Sequence, residues 1–551
     1  MSSQGAGRVR TLASRTVCGA PSGSGNGSRN SRKAPSITFI KGNAGKGAVP
    51  NYGQRKERNV RPDGHRIAPV FPQRPPPEAT TFSLPSSSFN ASSYTSPGVA
   101  PPLAGQKHNE RTGRRFVRKK TALLMPGQGS QYVTMSRDLY DSFQAARDVW
   151  HKADHVLELF AQGKTPAGLS EHPLRAQFEN DMRRGADMES LVYPQGIKLT
   201  DLVFHGDQLE LTRSENAQPA VFACTLAILN VLRYEFESEL FNVHIDWQAG
   251  HGSGNYTALV AAGVLDAADA FRALRFRGLE AMRCLRESPV LFPKGCTPPA
   301  DVYETWAFAN ASYKDATQTG KMAHISAHPS RNRKGESARK WKQTQVSAVS
   351  VRPGCLNMAM NEVVDVQGEI LRGEIEGVAT DEFVAVSNVN SQLQFVLSGT
   401  RNAVLYTCIW LRAKGLGARA VNLPVSGPYH TALVGNAQES FGRVVSVMPL
   451  REPDATRPIV SSVDGTVLRS AMDVRYDLGH ALSTPVRWLD TIETLVSQGV
   501  RRFVCLGPGR ALAHLLSKEL AFRERSQPGE QSLDTDFEVW SIATANDVST
   551  Y

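Results

Sequence analysis

The chain is poor in cysteine: seven in 551 residues, at positions 18, 224, 284, 296, 355, 408 and 505, with no Cys-x-x-Cys pair. That scatter argues against a disulfide framework and against a thiolate metal site, so the cysteines read as reduced, mostly buried thiols and no metal is expected. Long apolar runs are missing too. The longest, Pro219 to Leu232, is about 14 residues and contains Asn230, short of the ~20 that a bilayer requires, so no membrane span is expected. Acidic residues are absent from the first 56 positions, which are rich in Arg, Ser and Gly, and residues 67 to 102 are rich in Pro and Ser. Neither stretch can bury enough apolar surface to fold. An acid-free, Arg- and Ser-rich start resembles a mitochondrial presequence, so the expected location is mitochondrial, and otherwise cytoplasmic.

The formal charge of +11 suggests nucleic acid until it is divided along the chain. Residues 1 to 120 carry +17, with Glu57, Asp63, Glu78 and Glu110 as their only acids, and the remainder carries −6. A mildly acidic body gives no general polyanion-binding surface, so no nucleic acid is expected. The body is long enough for a large core, and 41% of the residues are hydrophobic.

The most informative stretch is Gln248 to Tyr256, Gln-Ala-Gly-His-Gly-Ser-Gly-Asn-Tyr. It follows an alternating segment (Val243, Ile245, Trp247) and enters an Ala/Leu-rich run, which reads as strand, tight glycine turn and helix. Such a turn lifts one side chain above a sheet, beside the free N–H groups of a helix start, where a tetrahedral anion is stabilised. Gly250 and Gly254 fit the Gly-x-Ser-x-Gly pattern, whereas the central position is Gly252. Ser253 follows at once, but one step along a helix start turns its side chain by roughly 100°.

Around this turn, Thr121 to Met125 reads as a buried strand running into the polar turn Pro126 to Gln131, where Gln128 offers an amide donor. Glu215 to Phe236 reads as a packing helix. Tyr256 to Met282 reads as two helical stretches, the second bearing Arg272, Arg275 and Arg277 and ending near Gly278. Residues 286–345 break the pattern as a basic insertion, or as retained non-coding sequence. Strands follow at Val346 to Val351 and on either side of Asn388-Val389-Asn390-Ser391, with two short helical patterns between, as in a small α+β unit. Later come Ser426 to His430, Ile459 to Ser462, a helix from about Thr484, a strand Arg502 to Leu506, and Gly507-Pro508-Gly509 before a closing helix. No internal repeat is present. The recurrence of strand, turn and helix argues a mostly parallel sheet.

These motifs, ordered and widely spaced from Thr121 to about Asn546, resemble the malonyl-CoA:acyl carrier protein transacylases and the acyltransferase domains of fatty-acid and polyketide synthases, the stand-alone mitochondrial type above all. The matching residues are Pro126 to Gln131, Glu215 to Ala220, the turn with Tyr256 to Gly263, Arg277-Gly278 with Met282, Asn388 to Gly399, Ser426 to His430, Pro485 to Trp488, and Gly507 to Gly509. The resemblance implies an α/β fold: an α/β-hydrolase-like large subdomain with a parallel sheet (119–285 and 425–546) and an inserted ferredoxin-like small subdomain (346–424), behind a disordered segment, 1–118.

It also implies transfer of malonyl from coenzyme A to the carrier-protein phosphopantetheine thiol in fatty-acid biosynthesis, by double displacement and with no tightly bound cofactor. The expected partners are malonyl-CoA and acyl carrier protein, and the expected state is monomeric. By position, His430 would be the general base, and Gln128 with the Ser253 N–H the oxyanion hole. Arg277, 25 residues after Gly252, would hold the malonyl carboxylate. Asn388, Asn390 and the carbonyl of Arg487 would orient the histidines, and His251 matches as well. Two positions depart from the family: Asn255 stands where Glu is usual, and Gly252 where the nucleophilic serine stands, with Ser253 the only nearby substitute. The alternative is therefore a catalytically impaired member that binds acyl-CoA or carrier protein.

Overall fold

Strand β1 (Lys120–Met125) is buried on both faces from Thr121 on and apolar from Ala122 on, as a central strand between two helical layers must be. The structure, a computed structural model, describes residues 119–189, 198–236, 244–287, 344–526 and 537–550. The presequence-like segment 1–118 and nearly all of the basic insertion lie outside them. β1 pairs in parallel with β2 (Trp247–Gly250), placing Met125 beside Gly250. The turns after both strands therefore leave the same sheet edge side by side.

The second sheet holds β3 (Thr344–Val351), β4 (Val384–Ser391), β5 (Gln394–Thr400) and β6 (Gly417–Asn422), in the order β4-β5-β3-β6, every neighbour antiparallel. With helices Leu356–Arg372 and Arg401–Ala413 between its strands, this is a βαββαβ unit of ferredoxin-like topology. The large sheet is completed by β7 (Ile459–Val460), β8 (Val467–Leu468), β9 (Val500–Leu506) and β10 (Glu538–Ile542), in the order β10-β9-β1-β2-β7-β8, with only β8 antiparallel. The fold is α/β, with a large and a small subdomain.

Several sequence expectations are corrected. One helix, not two, spans Leu356–Arg372, because Leu356, Ala359, Val363, Val366 and Ile370 keep a single buried stripe. Asn388 to Ser391 belong to β4, the turn falling at Gln392–Leu393. Helix Ala267–Glu287 runs through Gly278, where a Cβ would lie 2.4 Å from Glu215 Cα, so this glycine permits a helix crossing and does not end the helix. The helix expected from Thr484 begins at Trp488, and the helix Ala511–Ser526 does not close the chain, since β10 follows at the sheet edge. Ser214–Glu235 is long and apolar enough to cross a membrane, but 83% of its apolar window is buried inside the protein, as in a core helix.

Candidate active site

The turn after β2 is tight because its neighbours leave no room. A Cβ at Gly254 would lie 2.4 Å from Met125 O, and one at Gly250 2.1 Å from Asn255 N. Gly252 takes φ +56°, a left-handed conformation that costs an L side chain roughly 1–2 kcal/mol. A Cβ there would point at His430, 3.4 Å from Nε2 and 3.8 Å from Cε1, and among the described residues would meet nothing else within 4 Å outside the turn itself. A side chain at position 252 would thus meet the imidazole in van der Waals contact.

His430 itself has φ +61°, uncommon for a non-glycine residue and sustained here by fixed contacts. Its N–H donates to Leu482 O at 2.9 Å, and ring Nδ1 lies 2.8 Å from Ala481 O. A carbonyl can only accept, so Nδ1 carries the proton and Nε2 presents its lone pair toward Gly252. Burial first, then the charges of Arg277 and His251, push the His430 pKa down to about 3 against a weaker pull upward from the carbonyl contacts. The ring is a neutral base at ordinary pH. The carbonyl that orients it is Ala481's, not that of Arg487, whose oxygen accepts from Thr491 N–H at 3.1 Å.

This depressed pKa has a consequence for stability. The unfolded histidine takes a proton near pH 6.5 and the folded one does not, so acidification favours unfolding from about pH 6.5 down to about 3. Thermal melts of His430→Gln should therefore lose less Tm on acidification than the parent. Buried Asp477, raised to about 6 mainly by burial, contributes with the opposite sign and cancels in that difference. Equal pH profiles would refute the assignment.

Ser253 is 8% exposed, and its Oγ accepts from the Gln128 N–H at 3.1 Å. Among the described residues it makes no hydrogen bond to His430. The oxyanion donors expected are the Gln128 amide side chain and the Ser253 N–H; the first is corrected, because that side chain is held by other partners and the Gln128 backbone N–H carries the Ser253 hydroxyl. The Gln128 side chain is occupied elsewhere: Nε2 donates to Ser214 Oγ at 2.8 Å, and Oε1 accepts from Gln218 Nε2 at 3.1 Å. Ser214 Oγ also meets Ser426 Oγ at 2.7 Å and accepts from the Tyr429 hydroxyl.

Helix Ala267–Glu287 carries three arginines with different fates. Arg272 donates to Glu179 at 2.7 and 2.9 Å and to Asp269 at 2.6 Å. Arg275 donates to Glu215 O at 2.9 Å and to Asn216 Oδ1. Arg277, 3% exposed, donates from Nη1 to the neutral Gln218 Oε1 at 2.8 Å. Among the described residues it has no carboxylate partner, and burial holds its pKa below the usual arginine value. Its charge is one of the influences that lower the His430 pKa, so the guanidinium lies near the imidazole.

His251 Nε2 lies 3.0 Å from Asn390 Oδ1, and its ring packs edge-on against Trp488 at 5.2 Å. β4 reaches this point because Val389 N–H donates to Val486 O at 2.8 Å, clamping the small subdomain to the large one. Asn388 does not reach either histidine; its Oδ1 accepts from Ser387 Oγ at 2.9 Å. Asn255 donates to buried Asp477, which also accepts from Ser461, so a carboxylate supplied by another helix stands beside the amide at position 255. The sequence reading missed Ser214 and Gln218, whose signal was polar residues on a buried helix, and Ala481, whose carbonyl leaves no side-chain signal.

No protein-family model matches the chain. It is similar to a malonyl CoA-acyl carrier protein transacylase of Bacillus subtilis (strain 168), 27% identical over 401 residues, 72% of this chain and 90% of the relative. Its fold is that of an acyl-carrier-protein-S-malonyltransferase from Bartonella henselae (TM-score 0.51, 22% identity, 78% of this chain and 97% of that one). The same holds for a malonyl-transacylase solved in complex with a type II polyketide-synthase acyl-carrier protein (TM-score 0.52, 22% identity, 78% and 98%).

Proposed function

We propose that the chain is a member of the malonyl-CoA:acyl carrier protein transacylase family, to whose curated members it is similar, and that its cleft binds the malonyl thioester of coenzyme A and serves transfer of malonyl to the carrier-protein thiol. In this reading Arg277 holds the malonyl carboxylate, the N–H groups of Ser253 and Gln128 face the thioester oxygen, and His430 Nε2 moves the proton. His251 and Asn390 brace the cleft wall beside the turn. Malonyl-CoA and acyl carrier protein are the partners.

The observation that carries the reading is Arg277. A buried guanidinium paired only with a neutral amide is costly, and a ligand carboxylate offsets that cost through two parallel hydrogen bonds. Titration calorimetry should show malonyl-CoA binding more tightly than acetyl-CoA. Arg277→Gln should remove that preference, on the order of 10- to 100-fold in Kd. Equal affinity of the parent protein for the two ligands would refute the reading.

Gly252 favours a second reading, in which the cleft binds malonyl thioesters but is impaired in the covalent half-reactions. With no side chain at 252, and with the Ser253 hydroxyl on Gln128, no oxygen of the protein is hydrogen-bonded to His430 Nε2 among the described residues.

A further inference from the structure

The orphaned base at the centre of the cleft points to an activity of its own. Gly252 leaves unfilled the space that a Cβ would occupy 3.4 Å from His430 Nε2, with no other atom of the described residues within 4 Å outside the turn itself. The ring is locked with its lone pair toward that space by Ala481 O. The Ser253 N–H, on the other side, has no backbone acceptor among the described residues. A base, a backbone donor on the next residue and a position without a side chain therefore lie together at the turn.

We propose that this site hydrolyses the malonyl thioester directly, with a water held against His430 Nε2 in the space beside Gly252 as the attacking nucleophile. This rests on the reading that malonyl-CoA binds in the cleft. The water oxygen forms a bond to the thioester carbon as His430 takes one water proton, and the negative oxygen is met by the Ser253 N–H. Collapse of the tetrahedral intermediate breaks the C–S bond, and the imidazolium returns the proton to the departing thiolate. One malonyl-CoA and one water give one malonate and one free coenzyme A, with no other reactant. Unlike ester exchange through serine, this path leaves no acyl group on the protein.

The test uses the full-length protein with malonyl-CoA in 18O-labelled water, following free coenzyme A, label in malonate, and protein-bound ester after acid quench. The expected result is release of coenzyme A on the order of 10³-fold above buffer, which is what a site without its nucleophile retains, with one 18O per malonate and no ester on the protein. His430→Gln should lower the rate on the order of 100-fold or more while malonyl-CoA affinity is kept, the affinity also reporting that the variant is folded. Binding without release above buffer, release accompanied by a protein-bound ester, or a folded His430→Gln as fast as the parent would each overturn the proposal. Failure of malonyl-CoA to bind at all would instead refute the reading beneath it, and hydrolysis with it. Gly252→Ser, its folding checked by retained malonyl-CoA affinity, supplies a second arm: filling the space should replace net hydrolysis by a detectable ester at position 252, and unchanged hydrolysis with no ester would also overturn the proposal.

Discussion

Replacing Gly252 with serine is expected to raise malonyl transfer to holo acyl carrier protein by several orders of magnitude, since removing the nucleophile from a comparable serine site costs on the order of 10⁶ in rate. The new Cβ would stand 3.4 Å from His430 Nε2, so a hydroxyl on it comes within hydrogen-bond reach of the lone pair that Ala481 O orients. At φ +56° the serine is strained by roughly 1–2 kcal/mol, so a lower Tm should accompany the gain. Mass spectrometry after incubation with malonyl-CoA should find the ester on residue 252. The Ser253 hydroxyl, holding the Gln128 N–H, limits the gain by competing with the oxyanion for that donor. A folded variant with neither ester nor transfer would overturn the assignment of His430 as base and of the Gln128 turn as oxyanion site.

Loss of Asp269 is expected to be the most damaging single change to stability. Its carboxylate is fully buried, accepting from Arg272 at 2.6 Å and from Arg175 at 2.8 Å with both oxygens. Asp269→Ala leaves Arg272, 1% exposed, with Glu179 alone, a carboxylate it shares with Arg175, which also keeps Asp266 at 3.7 Å; removal of one member of such a buried network costs about 3–5 kcal/mol. Denaturant melts should show a loss of that size. Because the same helix carries Arg277 two turns on, malonyl-CoA affinity should fall with it; a change below about 1 kcal/mol would show that the cluster is solvated.

The sequence marked three arginines on this helix and had no means of ranking them from within it. Which one faces a ligand depends on the partners brought up by other elements: the Glu179 carboxylate to Arg272, the Glu215 backbone carbonyl and the Asn216 amide oxygen to Arg275, and the amide oxygen of Gln218 to Arg277. Resemblance singled out Arg277; a guanidinium bonded through Nη1 to one amide, with Nε lacking a hydrogen bond among the described residues, supplies a physical reason for it. Asn388 and Asn390 looked equivalent in sequence, yet in β4 only Asn390 reaches His251.

Local chemistry therefore determined the alternation of strand, turn and helix, the glycine bend with its empty nucleophile position, and the basic character of the first 120 residues, because periodicity, glycine spacing and charge act over a few residues at a time. Tertiary structure alone decided that Gly252 opens onto the lone pair of His430, that Ala481 and not Arg487 sets the tautomer, that the Ser253 hydroxyl turns to Gln128, and that Gly278 is a crossing point and not a helix end. Those outcomes depend on carbonyls, counter-ions and packing distances supplied by segments far apart in the chain, and no side chain at the site encodes them by itself.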